Sequence, residues 1–344
     1  MNFIKRIEKI RNEASESNII LTGINLLDEN TKGVRGIISI AAAPKVGKTS
    51  FLLATYLCNL YLRYVESSIK LKWIYFSFEM PEDDIKARAT AFFIHKFTGI
   101  KIPYSRILGE EIKDGAIVKL NDEEYELVKR YYEDYTEKMF EHILFIVERD
   151  NPTGVYKLVK NYMLNIGVEK TRKVEVKDST INIFESYTPN DNNVKVLCII
   201  DHIRHLRKER GFDNKELIDT MSRYEVELTN NYGVTFVNII HINRNLSDSE
   251  MMKLQSTNLH PTSDMVKDTG NLSEDAHQLI TLMKPTDPKY NLKSHFGKSL
   301  YEYKNRGYRT LHLVENRRGD TCHLGFTTDN SILAWDNVWS QNSE

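Results

Sequence analysis

Apolar positions along the chain fall into two rhythms. Short runs rich in β-branched and aromatic residues recur at 36–41 (GIISIA), 73–78 (WIYFSF), 143–148 (ILFIVE), 194–200 (VKVLCII), 234–241 (VTFVNIIH) and 277–283 (HQLITLM). Runs of this kind suit strands buried on both faces. Between them, longer stretches at about 48–66, 81–98, 122–139, 152–166 and 214–232 predict helices. Strand and helix in alternation predict an α/β fold with a mostly parallel sheet covered by helices on both faces. Two late stretches, about 309–316 and 321–327, predict a closing antiparallel pair.

Other segments stand outside this alternation. Residues 2–15 predict a short amphipathic helix, with Phe3, Ile4, Ile7 and Ile10 on one stripe and charged residues elsewhere. Such a helix either caps its own core or docks on a neighbouring subunit. Residues 100–122 predict a connection with a turn near Asp114 and Gly115. Residues 167–193 carry two alternating polar arms, Lys173 to Lys177 and Thr180 to Ser186, and predict a surface hairpin inserted into the core. The chain therefore divides into an N-terminal linker helix (1–20), one α/β domain (21–335) and a C-terminal tail (336–344).

At 344 residues the chain fits one large or two small domains. Formal net charge is −1, so contact with nucleic acid must come from local loops or from a channel formed on assembly. Cys58, Cys198 and Cys322 are isolated, with no C-x-x-C pair, which argues against a disulfide framework or zinc site and fits a reducing cytosol. No apolar run approaches membrane-spanning length, and the charged start MNFIKRIEKIRNE lacks a signal-peptide core. The expectation is a soluble cytoplasmic protein without a membrane partner.

The sharpest chemical signal is AAAPKVGKTS, Ala41 to Ser50, between a predicted strand and a predicted helix. Strand, small-residue loop and helix make a phosphate-cradling P-loop, here Ala42, Ala43, Pro44, Lys45, Val46, Gly47, Lys48, Thr49 and Ser50. Loop and helix-start N–H groups face phosphates, the Lys48 ammonium reaches the β and γ oxygens, and the Thr49 hydroxyl ligates Mg²⁺. The first glycine of the general pattern is Ala42 here, and Pro44 stiffens the turn. ATP and Mg²⁺ are the implied ligands, and the fold expected around such a loop is a RecA-like core.

A Mg²⁺-dependent ATPase needs a second carboxylate, and Asp201 ends the apolar strand VKVLCIID. Glu79 ends WIYFSFE at the same expected rim, where a carboxylate can take the proton of attacking water. His241 ends VTFVNIIH and is placed to sense the γ-phosphate, although a lone strand-end histidine is commonly structural. In ENRRGD, Arg317 and Arg318 sit at a turn, either as solvated charge or as a guanidinium delivered to another subunit's phosphate. Two loops suit nucleic acid. HIRHLRKER offers Arg204, Arg207 and Lys208, and DMVKDTGN is polar with Gly270 permitting tight backbone geometry.

Taken together these blocks resemble the ATPase domain of the DnaB-type replicative helicases, the hexameric ring helicases of bacteria and their phages. The likeness runs from about Leu21 to Asn330. LTGINLLDENTKGVRGIISIAAAPKVGKTS is similar to the family's opening segment, whose loop also has Ala for the first Gly and Pro two residues on. FSFEMP resembles its S-L-E-M-P block and carries the catalytic Glu to Glu79; IIDHIRHL carries the Mg²⁺-linked Asp to Asp201. IIHINR puts His241 at the sensor position, commonly Gln. PTSDMVKDTGNLSEDAHQLI implies a DNA-facing loop at Lys267, Asp268 and Gly270, with one extra residue against the family pattern. VENRRG implies a trans-acting Arg317, with Glu315 standing where the family has Lys. The family's separate N-terminal helical domain has no counterpart here, and residues 2–15 correspond at most to its linker helix. The 167–193 insertion has no clear counterpart either.

The resemblance implies an ATP-dependent DNA helicase moving on single-stranded DNA as a homo-oligomeric ring, a hexamer in the family, with a separate primase or loader as partner. Two alternatives remain open at this point: a RecA-like recombinase, and an ATP-switched DNA-binding or loading protein with slow hydrolysis.

Overall fold

The computed structural model describes residues 19–176, 179–242, 258–266, 272–303 and 306–343, with Ile4 and Glu8. Strand β1 (Ile37–Ala42) leads through the P-loop into helix α1, which runs on from Lys48–Leu52 through Leu53–Asn59 to Leu60–Tyr64. Its middle stretch is wound as a π-helix. The altered ladder there leaves a carbonyl facing the sheet, and the Trp73 indole donates to Tyr56 O at 3.0 Å. Strand β2 (Lys70–Ser77), helix α2 (Glu82–Thr98) and the composite helix α3 (Asp122–Tyr131, Tyr132–Thr136, Glu137–Phe140) follow. Asn121 starts α3 with a capping box, its side chain accepting from Glu124 N–H.

Strand β3 (Ile143–Ile146) and helix α4 (Pro152–Asn165) lead into the hairpin β4 (Gly167–Val176) and β5 (Ser179–Pro189). The insertion is thus a two-stranded antiparallel arm, separate from the main sheet. It docks at its base, where Phe184 and Tyr187 pack on Tyr232 and the Tyr187 hydroxyl donates to Met163 O. Strand β6 (Val194–Asp201), helix α5 (Asn214–Tyr232), and strands β7 (Thr235–His241) and β8 (Gln278–Met283) resume the alternation. Antiparallel strands β9 (Gly307–Asn316), β10 (Cys322–Asp329) and β11 (Ala334–Asn342) close it.

Among the described residues, nine strands form one sheet in the order β11-β10-β9-β8-β1-β7-β6-β2-β3. From β8 to β3 neighbouring strands are parallel; β8 to β11 are antiparallel. Successive residues of each central strand enter opposite cores. Ile38, Ile40, Trp73, Tyr75, Leu197 and Ile199 pack under α1 and α2, while Ile37, Ile74, Phe76, Cys198 and Ile200 pack under α4 and α5. Burial on both faces explains the unbroken apolar runs. The mostly parallel α/β fold expected from the sequence is the fold observed.

One expectation is corrected. The segment set aside as a tail from 336 lies within β11, where Trp335 pairs with Thr328 and Trp339 with Gly325. An edge strand with one solvated face carries too little apolar alternation to stand out in sequence. The 2–15 helix lies outside the described residues except Ile4 and Glu8, both helical and exposed. Among the described residues, no helix is long and apolar enough to cross a membrane.

Candidate active site

Parallel strands point their C-terminal ends to one rim, and register fixes which residues meet there. Ala42 pairs with His241, and Ser77 pairs with Asp201, so Glu79 two residues on emerges beside Asp201. Beyond Ala42 the loop turns through Lys45 at φ 64° and Gly47 at φ 108°. Gly47 has no substitute here. Its φ disfavours side chains, and a Cβ would lie 3.3 Å from both the Asn330 amide and the Trp335 ring. The helix starting at Lys48 points its first N–H groups into the loop, which is the polarity an anion needs.

Lys48 is buried, and its ammonium donates to Ala42 O at 2.9 Å and Ala43 O at 3.3 Å, with His241 Nδ1 at 3.3 Å. The Thr49 hydroxyl donates to Asp201 Oδ1 at 3.3 Å, and the Tyr75 hydroxyl to Asp201 Oδ2 at 3.4 Å. Burial pushes the Asp201 carboxyl up to about 7, the Glu79 charge adds to this, and Thr49, Tyr75 and Lys48 oppose it. A hydroxyl and a carboxylate side by side are oxygen donors that suit Mg²⁺, and a cation there would relieve the burial cost of the charged form. The donor set fits the expected metal.

Glu79 is half-exposed and faces two imidazoles. His202 Nε2 lies 2.9 Å from Glu79 Oε2, and His205 Nε2 lies 3.6 Å from Oε1. His202 reaches back through a left-handed backbone, φ 70° and ψ 73°, a region uncommon outside glycine but one that histidine enters more readily than most. Its ring stacks on His241 with centroids 4.7 Å apart. Burial, then the nearby His241, Lys48 and His205, depress its basicity to about 3, so the ring is neutral, with Nε2 facing Glu79.

The structure separates the other expected residues. Arg204, Arg207 and Lys208 are exposed on the loop after β6, and the Arg207 N–H is fixed to Asp150 O at 2.9 Å. Lys267, Asp268 and Gly270 lie outside the described residues. Arg317 is exposed on the β9–β10 turn. There Asn316 pairs with Gln278 at the start of β8, whereas Thr310 pairs with Met283 at its end. The turn therefore sits at the end of the sheet opposite the P-loop. Arg317 N–H donates to His277 O at 3.0 Å, and its guanidinium to Glu274 O.

Sequence reading missed several members of the site. His202 and His205 belong by sequence to the basic loop after β6 but face Glu79; the signal is a histidine directly after Asp201. Arg309, buried in β9, donates from Nε to Val46 O at 2.6 Å and braces the P-loop from a distant strand. A cavity of about 610 Å³ opens beside the loop, lined by Arg309, Asn330, Lys101 and His95 among others. Asn330 Oδ1 and Trp335 Nε1 are buried at the loop without a hydrogen-bond partner among the described residues. No local motif marks these positions.

Comparison with known proteins gives the family and the fold. The family model described as the DnaB-like helicase C-terminal domain matches residues 20–337. A solved structure described as an ATPase domain aligns over 98% of this chain and 99% of its own, with TM-score 0.68 and 14% identity. Another, of a DnaB-like replicative helicase and its interactions with primase, aligns over 98% of this chain and 67% of its own, with TM-score 0.65 and 15% identity. At such identities the likeness is one of fold. No curated protein sequence matches the chain.

Proposed function

Because the chain belongs to the DnaB-like helicase C-terminal domain family, we propose that it is an ATP-driven helicase that encircles single-stranded DNA as a hexameric ring. The observation that carries this reading is the meeting of Lys48, Thr49, Asp201 and Glu79 at one rim. Bound through Thr49 and Asp201, Mg²⁺ would supply charge to the β- and γ-phosphate oxygens. Lys48 exchanges its loop carbonyls for the γ-phosphate. Glu79 swings from His202 and accepts a proton from water as the water oxygen bonds to the γ-phosphorus and the β,γ-bridging P–O bond breaks. His241, next to Lys48, registers the loss of phosphate. Arg317 lies at the end of the sheet opposite its own P-loop, which is compatible with service to a neighbour's P-loop and hydrolysis at subunit junctions. Arg204, Arg207 and Lys208 supply phosphate contacts to DNA, and Lys267, Asp268 and Gly270 form a second DNA-facing loop.

The neighbour solved with primase makes a primase the partner to test. A slow, ATP-switched loading protein is the second reading, favoured by the two imidazoles that hold Glu79 at rest. Strand displacement on a forked duplex, run beside DNA-stimulated ATP hydrolysis and electron microscopy with a non-hydrolysable analogue, tests the proposal. Rings with ATP-dependent unwinding are expected. Filaments, or ATP-dependent DNA binding without turnover, would overturn it.

A further inference from the structure

We propose that Glu79, His202 and His241 form a binding site for a divalent transition metal with the ligand preferences of zinc. Each offers one ligand atom, and all these atoms lie within 4.8 Å of one another. The residues come from three different elements: the end of β2, the turn after β6 and the end of β7. Cysteine spacing argued against zinc, but these donors are imidazoles and a carboxylate brought together only by the sheet register. Two imidazoles with one carboxylate suit zinc, cobalt or nickel, whereas Mg²⁺ prefers oxygen alone.

The distances approach what a metal requires, and the near-parallel His202 and His241 rings, 21° between planes, must turn for their in-plane lone pairs to converge on one ion. Ligand atoms about 2.0–2.1 Å from a tetrahedral ion stand roughly 3.3 Å apart. His202 Nε2 and Glu79 Oε2, 2.9 Å apart, need only open slightly, and His241 must close by a modest shift. His202 is held for this by burial and by its left-handed backbone, which local sequence does not favour. The His241 ring lies against His202 with centroids 4.7 Å apart, so both imidazoles stand beside Glu79. Giving Nε2 to a metal puts the His202 proton on Nδ1, which is buried without a partner among the described residues, a cost the metal bond must offset. Lys48 loses His241 as an acceptor but retains Ala42 O and Ala43 O.

Occupation of this site ties up the Glu79 carboxylate. On the reading of Glu79 as the base, which this consequence rests on, a zinc-type ion blocks ATP turnover while Mg²⁺ remains in excess.

The test uses the full chain, stripped with chelator and free of nucleotide, titrated with Co²⁺. We expect a one-to-one visible band of four- or five-coordinate Co²⁺, displaced by Zn²⁺. Glu79→Gln, His202→Asn and His241→Gln should each weaken Co²⁺ binding by about 100-fold or more. Asn tolerates the left-handed backbone at 202, and His241→Gln provides an arm that leaves that backbone alone. His312→Gln, in the separate histidine cluster of the closing strands, should leave the band unchanged. Absence of the band, its survival in the three ligand variants, or its loss in His312→Gln would overturn the site. A band that forms as expected while Zn²⁺ leaves ATP turnover at full rate supports the site and removes Glu79 as the base.

Discussion

The Thr49 hydroxyl and the Asp201 carboxylate meet at 3.3 Å although 152 positions separate them. One lies at the start of the helix leaving β1, the other at the end of β6. The strand β7 between them sets the spacing, pairing with β1 on one side and β6 on the other. Asp201→Asn keeps the shape of this contact while removing the charge offered to a metal. The variant should fold as the parent does but lose ATP turnover by about 10²–10³ or more, the cost typical of removing one electrostatic contact to a transition state. Steady-state hydrolysis with thermal unfolding as a control measures both.

Lys48→Ala should nearly abolish hydrolysis, because the buried ammonium has no substitute in the loop. Glu79→Gln should bind ATP as the parent does yet turn over about 10²–10⁴-fold more slowly. Nucleotide affinity and single-turnover rates separate the two effects. Parental turnover in Glu79→Gln would assign the base elsewhere.

Arg317 tests the assembly. A trans-acting arginine is worth about 10³–10⁵ in turnover. Arg317→Ala should lose hydrolysis and retain nucleotide binding. Oligomers mixed from Arg317→Ala and Lys48→Ala subunits contain some junctions with both groups intact, and they should regain activity that neither variant has alone. Mixed oligomers that regain none would return Arg317 to the role of a surface turn residue.

Acid should destabilise the closing strands. His295 and His323 have basicity depressed from 6.5 to about 4, and His312 lies well below 6.5; burial is the main cause, with His260 and the neighbouring imidazoles adding to it. Unfolding frees these rings to take protons near 6.5, so proton uptake favours the unfolded chain. Their contribution is complete above about 6.5 and is lost as pH falls toward 4, at up to about 1.4 kcal/mol per unit for each ring. Thermal unfolding at pH 7.5 and pH 5 should show the loss. His295→Gln, able to keep a donor for Leu259 O, should reduce it.

Glu225 acts in the opposite sense. Its carboxyl is buried and raised from 4.5 to about 8, mainly by burial with Asp275 adding, while the 2.8 Å bond from Asn238 Nδ2 opposes the shift. A raised group gives its stability in full below 4.5 and loses it as pH rises through about 8. Glu225→Gln removes that titration. The variant's melting temperature should overtake the parent's between pH 6 and pH 9; a constant difference across that range would count against a buried, titrating Glu225.

The sequence by itself determined what is contiguous or periodic. Lys48 and Thr49 are legible because a P-loop is ten residues of unbroken chain whose backbone does the binding. The central strands are legible because burial on both faces keeps them mostly apolar, with Ser39 and Asn238 as buried exceptions. The arm at 167–189 is legible from the alternating pattern of its two segments. The tertiary structure decided what depends on strand order and register. It turned His202 and His205 to Glu79 through a left-handed residue that local preference disfavours. It added β11 at the edge, where a half-solvated strand leaves a weak apolar trace. It also set Arg309 under the P-loop and Arg317 at the opposite end of the sheet. Arg309 lies in β9 and Arg317 on the turn just after it, and the antiparallel direction of β9 decides which of them reaches the P-loop end.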